Sequence, residues 1–395
     1  MMQYDELAIA KQFGTPLFLF DGDELEARVF KMKEIVGDAW KLCYSMKANS
    51  FLVPWMDHLI GMLEVCSPGE LDICKTLHVP GDHILYSGVN KTAQNIVDAV
   101  DYGCHMYTCE SIRHVQLLHE EAKRRQKVLP VLLRMSSGSQ FGMIKTELYD
   151  VIRHRDAYPY LSIEGLHYFA GTQRKQLIRQ KKELAMLKDL FIDVKERYGF
   201  ILRHLEYGPG FAVPLFEGDD FSDDLQPLKE LKEDLLSFSK LAHVQIEMGR
   251  FIAASCGRYM TTVEDCKKGE MTDYAIVDGG IHHVNYIGNL MGMKTPKIRV
   301  LNPAGQEKKT WCLCGSLCST NDVLAREFTQ SGIKEGTVLC FENSGAYAVS
   351  EAMTLFLSRK APAVVLCYNG SVRLVRDGFE TSVFNTIQEK EIWKS

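Results

Sequence analysis

A closed (β/α)8 barrel followed by an all-β domain is the fold this sequence predicts, and three observations predict it. Short apolar strands alternate with helical segments over about 240 residues, in close to eight units, which favours a closed barrel over an open sheet. Residues with chemistry to offer recur just past the strands: Lys47, Ser67, Asn90, Arg134, His167, Gly208 and Glu247. In a barrel those positions share one rim. After about Gly257 long helices nearly vanish, and β-rich segments separated by Gly-containing turns take over.

Taken in order, Thr15–Asp21 reads as an apolar strand that precedes the barrel and joins the later β domain. Asp23 is placed to cap a helix running to Val36. Leu42–Ser45 is a buried strand with Lys47 at its mouth. Further strands are expected at Leu63–Ser67, Ile84–Tyr86, Met106–Thr108, Val128–Met135, Leu161–Tyr168, His204–Tyr207 and Val244–Glu247. Helical segments at Trp55–Met62, Glu70–Thr76, Thr92–Tyr102, Ser111–Arg124, Lys175–Tyr198 and Leu228–Leu241 separate them. A Gly-rich loop, Ser136–Gly142, and an acidic loop, Glu217–Asp224, interrupt the rhythm. The β-rich part comprises Tyr259–Val263, Thr272–Asp278, Pro296–Leu301, Thr310–Leu313, Val338–Glu342, Ala363–Tyr368 and Ser371–Val375. The expected organisation is 1–24 as the β-domain strand, 25–257 as the barrel and 258–395 as the β domain.

Composition narrows the function classes. The 395 residues are 46% hydrophobic and 25% charged, so the chain can fill a large core. A formal net charge of -5 with no long basic run argues against a nucleic-acid partner. The apolar runs are too short to cross a bilayer, and Met1–Lys11 is no signal peptide. Twelve scattered cysteines fit a reducing, cytoplasmic setting. Cys312, Cys314 and Cys318 are crowded but lack paired metal-ligand spacing, so no metal site is expected.

Lys47 is the residue the site is built around. A lysine at a strand mouth is held by its scaffold while its amine reaches outward, which suits a Schiff-base lysine. Glycines in Glu206-Tyr207-Gly208-Pro209-Gly210 let backbone amides approach an anion. In Glu247-Met248-Gly249-Arg250 the acid points into the rim, and the arginine can pair with it or grip a phosphate. Gly165-Leu166-His167-Tyr168-Phe169-Ala170-Gly171-Thr172 brings a histidine, aromatics and a hydroxyl to the mouth. In the β domain, Tyr347 can donate its hydroxyl to an anion. A lysine, an anion loop, a carboxylate and an aromatic wall are the parts pyridoxal 5'-phosphate requires.

Six ordered motifs resemble fold-type III pyridoxal phosphate enzymes, the diaminopimelate, ornithine and arginine decarboxylase group with an alanine racemase-like barrel. They are Tyr44-Ser45-Met46-Lys47-Ala48-Asn49, Gly69-Glu70-Leu71, Ser87-Gly88-Val89-Asn90-Lys91, Glu247-Met248-Gly249-Arg250, Leu317-Cys318-Ser319-Thr320-Asn321-Asp322 and Ser344-Gly345-Ala346-Tyr347. The resemblance spans essentially the whole chain and implies an α-decarboxylase. It implies that Lys47 holds the cofactor as an imine and that Glu247 faces its ring nitrogen. Gly208, Gly210, Gly249, Arg250, Thr172 and Tyr347 resemble the phosphate shell, and Arg134 the arginine near the phenolic oxygen. Cys318 resembles the proton-returning acid delivered by a partner subunit, with Ser319 and Asp322 on the same substrate-facing loop. A head-to-tail homodimer with shared sites follows from the resemblance.

Departures from the family pattern point to the substrate. Phe169 stands where relatives place a cofactor-face histidine, and His167 is a neighbouring, different histidine. Pro209 replaces the middle glycine of the anion loop and removes an amide donor. Ser319 replaces the glutamate that binds a distal substrate ammonium. The pattern His167-Tyr168-Phe169-Ala170-Gly171-Thr172-Gln173, with Val277-Asp278-Gly279-Gly280-Ile281-His282-His283 and Asn343-Ser344-Gly345-Ala346-Tyr347, resembles the butirosin-pathway offshoot, whose substrate is a glutamyl thioester on an acyl carrier protein; Ser319 and Phe169 motivate that substrate. Decarboxylation of free diaminopimelate or a basic amino acid, amino-acid racemisation and non-catalytic cofactor binding are the alternatives.

Overall fold

The computed structural model describes residues 4–38 and 40–387, which fall into two compact units. One holds Glu26–Ala212 and Asp224–Ile252. The other holds the chain up to Leu25, the excursion Val213–Asp223 and the chain from Ala253.

Strand β1 (Leu17–Asp21) belongs to the second unit. The first unit is a closed barrel of eight strands. In order these are β2 (Trp40–Ser45), β3 (Leu63–Val65), β4 (Ile84–Tyr86), β5 (Met106–Cys109), β6 (Leu129–Arg134), β7 (Leu161–Phe169), β8 (His204–Gly208) and β9 (His243–Met248). All neighbours are parallel, and β9 closes on β2 with Trp40 opposite Val244 and Tyr44 opposite Met248. Strands covered on both faces read as near-continuous apolar runs. That is why β4, β5 and most of β6 are buried at every position. The βα turns hold because hydroxyls cap the helices. Ser67, Thr92 and Ser111 each accept from the backbone N–H three residues on. On the outer layer Phe191 and Phe238 meet edge to face, with centroids 5.0 Å apart, and lock the helices Leu177–Tyr198 and Gln226–Ser239 together.

The second unit is a nine-stranded sheet. It contains β1 and β10 (Gly257–Lys267), β11 (Asp273–Val277), β12 (Ile298–Val300), β13 (Lys308–Cys314), β14 (Val323–Ser331), β15 (Val338–Phe341), β16 (Ala363–Tyr368) and β17 (Ser371–Arg376). As the sequence predicts, β1 joins this sheet; it lies between antiparallel β10 and parallel β16. Leu17, Leu19, Met260, Val365 and Cys367 form the core beneath that junction.

Several local expectations change. Asp21, not Asp23, caps the first barrel-unit helix, because its carboxylate accepts from Glu24 N at 3.0 Å. Asp23 instead accepts from Tyr4 Oη and from the Asn369 amide, which ties the N-terminal segment to the β16–β17 turn. Two helices of eight or more residues escape the sequence reading, Glu6–Phe13 and Lys145–Arg153, as do the four-residue turns Arg250–Ala253 and Ser382–Asn385 and strand β14.

Candidate cofactor and active site

Lys47 sits on the single 3-10 turn Met46–Ala48 that ends β2. Met46 and Ala48 on either side are fully buried, so the turn is anchored and Lys47 is the residue left facing out. Tyr44 donates its hydroxyl to the Asn49 carbonyl at 3.0 Å, and the Asn49 side chain accepts from Phe51 N at 3.0 Å; together they fix the turn. The Lys47 amine pairs with Glu64 on β3. It also lies 3.6 Å from Cys66 Sγ and 3.7 Å from Glu247 Oε1.

Glu247, on β9, is buried at the centre of this group. Ser45 donates to Glu247 Oε1 at 2.9 Å, and His167 Nε2 lies 3.0 Å from Oε2. Burial alone would push the Glu247 carboxyl up; Lys47 and His167 overcome it and hold the group well below the usual carboxylate range. Its neighbour Glu206, on β8, goes the other way. Burial, reinforced by the charges of Glu247 and Glu64, pushes that carboxyl well up and favours its protonated form. The barrel interior therefore separates two adjacent acids into one ionised and one neutral group.

Past β7 and β8 the chain forms two interlocked loops. Arg174 N donates to Gly210 O at 2.9 Å. Gly210 has φ +63°, and a Cβ there would lie 1.8 Å from the Gly171 carbonyl oxygen. At Gly208 a Cβ would meet the Phe169 ring at 2.6 Å. The cradle is braced from behind: the Pro209 carbonyl accepts from Gln180 Nε2 at 3.0 Å, and Arg174 pairs with Glu183, which also accepts from Tyr207 Oη at 2.8 Å. Thr172 is exposed on this loop. Gly249 and Arg250 are buried where β9 passes into a short helical turn.

Arg134, at the end of β6, donates to Glu110 at 2.6 Å, with both groups buried. Its guanidinium stacks 4.7 Å over the Phe141 ring.

In the β unit, Cys318 is exposed, and Ser319 and Asn321 flank Thr320 in a tight turn. Asp322 is buried under that turn. Its two carboxylate oxygens accept from Ile281 N at 2.9 Å and Leu317 N at 2.7 Å. Burial raises the Asp322 carboxyl despite those amides. Tyr347 lies in a separate turn at φ +66°, after Gly345, where a Cβ would lie 1.9 Å from the Ala253 carbonyl oxygen. Cys312 and Cys314 have their sulfurs 3.8 Å apart. Among the described residues no group of three or more His, Cys, Asp and Glu side chains is arranged to hold a metal ion.

Within the barrel unit, then, Lys47, Glu247, His167, Arg134, Phe169, Thr172, Gly208, Gly210, Gly249 and Arg250 all fall at or just past strand ends on β2, β6, β7, β8 and β9. Sequence reasoning missed Glu64, Glu110 and the brace Arg174–Glu183, and quoted Lys91 and Glu206 within motifs without giving either a role. Only Glu64 carried a usable signal, as an acid inside an otherwise apolar strand directly before the Cys66-Ser67 turn.

The barrel residues fit pyridoxal phosphate. Glu247 Oε2 is buried beside His167 Nε2 at 3.0 Å but off hydrogen-bond geometry, and it has no well-aligned donor among the described residues; the protonated ring nitrogen of the cofactor would supply one. The amine of Lys47 lies on the same carboxylate's other side. The glycines at 208 and 210 leave a side-chain-free surface.

Comparison with known proteins agrees. Residues 22–254 match the pyridoxal-dependent decarboxylase family, pyridoxal binding domain. The chain is 28% identical to the L-glutamyl-[BtrI acyl-carrier protein] decarboxylase of Niallia circulans, over 95% of this chain and 94% of that one. It is 26% identical to the diaminopimelate decarboxylase of Aquifex aeolicus, over 93% and 90%. The crystal structure of diaminopimelate decarboxylase from M. jannaschii superposes with a TM-score of 0.88 at 21% identity, covering 98% of this chain and 96% of that one. Among the described residues no helix is long and apolar enough to span a membrane. The chain thus belongs to the fold-type III pyridoxal phosphate-dependent decarboxylases, the group of the diaminopimelate, ornithine and arginine enzymes.

Proposed function

We propose that this decarboxylase removes the α-carboxylate of a glutamyl-type amino acid carried as a thioester on an acyl carrier protein. One observation carries the reading. The turn after Cys318 offers Ser319, Thr320 and Asn321, and its sole carboxylate, Asp322, is buried with both oxygens on backbone amides. A free diamino acid would bring a distal ammonium to a loop with no acid to receive it. A thioester end carries no such charge. The similarity to the Niallia carrier-protein enzyme supports the same choice.

Bound pyridoxal phosphate supplies the electron sink that accepts the pair left by the departing carboxylate. Lys47 would hold it and Glu247 would keep its ring nitrogen protonated. Gly208, Gly210, Gly249, Arg250, Thr172 and Tyr347 would take its phosphate. Arg134 would face its phenolic oxygen. Phe169 would pack on its ring without offering a proton. Cys318, supplied by the partner subunit of a homodimer, would return a proton to the substrate carbon, and Asp322 would hold the Cys318 turn from beneath.

The test is CO2 release by the purified holoenzyme. Glutamyl-carrier thioester, free glutamate, diaminopimelate, lysine, ornithine and arginine are compared, with chiral analysis of recovered substrate. Carrier thioester should exceed every free amino acid in kcat/KM. Faster turnover of diaminopimelate or a basic amino acid overturns the substrate reading. Racemised substrate without CO2 overturns the reaction.

A further inference from the structure

Three strand ends of the barrel unit bring a second charged cluster together, apart from Lys47 and Glu247. Lys91 follows β4, Glu110 follows β5 and Arg134 ends β6; all three are buried. Glu110 is the hub. One carboxylate oxygen accepts from Arg134 Nη1 at 2.6 Å and the other from Gly142 N at 3.0 Å. Gly142 closes the Gly-rich loop 136–142, which the sequence singles out without giving it a task. It has φ +75°, and a Cβ there would press within 2.9 Å of the Arg134 carbonyl oxygen. Phe141 of the same loop lies under the Arg134 guanidinium. The loop and the arginine therefore share one anchor.

Lys91 donates to the Gly88 carbonyl at 2.5 Å. Burial draws its amine down to about 8, against the opposing pull of Glu110. His114, whose Nδ1 accepts from Glu110 N at 3.2 Å, is held to about 4 by burial and by Lys91, so it brings no charge near neutrality. Cys109 and Cys66 also face Lys91. Arg134 thus holds the Glu110 carboxylate directly, while Lys91, fixed on the Gly88 carbonyl, feels its charge through space, in a pocket where charge is weakly screened.

We propose that Glu110 is a positioning and charge-setting residue: it holds Arg134 and the 136–142 loop in place and, balanced against Lys91, sets how much positive charge Arg134 presents to bound cofactor. This rests on the reading of Arg134 as the residue facing the phenolic oxygen. Positive charge there favours the deprotonated form of the bound cofactor's ionisable group. Removing Glu110 and removing Lys91 must therefore act in opposite directions.

The experiment follows the near-ultraviolet and visible absorbance of the holoenzyme against pH in Glu110→Gln, Lys91→Met and Arg134→Gln variants. Glu110→Gln keeps an acceptor for Gly142 N and loses the charge. Its transition should move about 0.5–1 pH unit down, while those of Lys91→Met and Arg134→Gln move up. Shifts of Glu110→Gln and Lys91→Met in the same direction, or no shift in either, overturn the proposal. If Glu110→Gln does not fold or retain cofactor, an unmoved Lys91→Met transition overturns it alone. An unmoved Arg134→Gln transition instead overturns the placement of Arg134, whatever the other two variants do.

Discussion

Glu247 Oε2 and His167 Nε2 lie 3.0 Å apart in the closed interior of the barrel, and Glu247 Oε1 accepts from Ser45 on the opposite side. The carboxylate is thus held between β2 and β7 while it projects from β9. Its low proton affinity follows from that placement. Glu247→Gln keeps the shape and the Ser45 bond but removes the charge. Its kcat/KM for CO2 release should fall roughly 100- to 1,000-fold. Glu247→Asp should lose less. Retained cofactor absorbance in Glu247→Gln shows that the loss is not one of binding.

Gly208 and Gly210, proposed to take the cofactor's phosphate, should differ. Gly210→Ala places a Cβ against the Gly171 backbone at a positive φ, so nothing can move aside. It should weaken phosphate-dependent cofactor retention by about 10-fold or more, measured by dialysis and absorbance. At Gly208→Ala the obstacle is the Phe169 ring. Its loss should be smaller, and Phe169→Leu should restore most of it.

Acid should unfold the β unit before it protonates the ionised barrel acid. His282 is buried with neither ring nitrogen hydrogen-bonded among the described residues, and burial lowers it to about 4; His283, whose ring lies tilted against it at 3.7 Å, is lowered to about 3, chiefly by burial. Between about pH 6.5 and these values the unfolded chain binds more protons than the folded one, so stability rises with pH there and is lost on acidification. His282→Leu removes one of those proton sites without breaking a hydrogen bond. Its acid-unfolding midpoint, followed by circular dichroism, should move to lower pH.

Ser319→Glu restores an acid to the turn after Cys318. Relative kcat/KM for diaminopimelate over the glutamyl thioester should rise about 10-fold. An unchanged ratio would separate that turn from substrate selection.

The proposed homodimer, with Cys318 supplied across it, predicts complementation. Lys47→Ala and Cys318→Ala proteins, each inactive, should regain about a quarter of wild-type activity when unfolded and refolded together, because half the dimers are mixed and each carries one intact site. Failure to recover, with mixed dimers demonstrated, would place Cys318 in its own subunit's site.

Much of this architecture is legible in the sequence because barrel strands are short apolar runs with punctuated ends. Ile84–Tyr86 and Ala363–Tyr368 are found to the residue. What is lost has a physical pattern. β14 carries Arg326, Glu327 and Gln330 on an edge strand facing solvent, so its apolar signal is diluted. The helix Glu6–Phe13 is short and only two of its residues are buried. Lys47 and Glu247 are visible through their flanking motifs. Glu110 and Glu206 are not, because a buried acid is explained by a partner on another strand, and periodicity is blind to that.

Strand β1 finally has a consequence for how this protein is made. It is translated early, yet both of its neighbours, β10 and β16, emerge only after the entire barrel. On the ribosome the barrel can close while Leu17–Asp21 waits as an apolar edge without mates. Nascent chains stalled before Ala363 should therefore be chaperone-bound through their first twenty or so residues, and release should coincide with synthesis of the strand that completes the sheet.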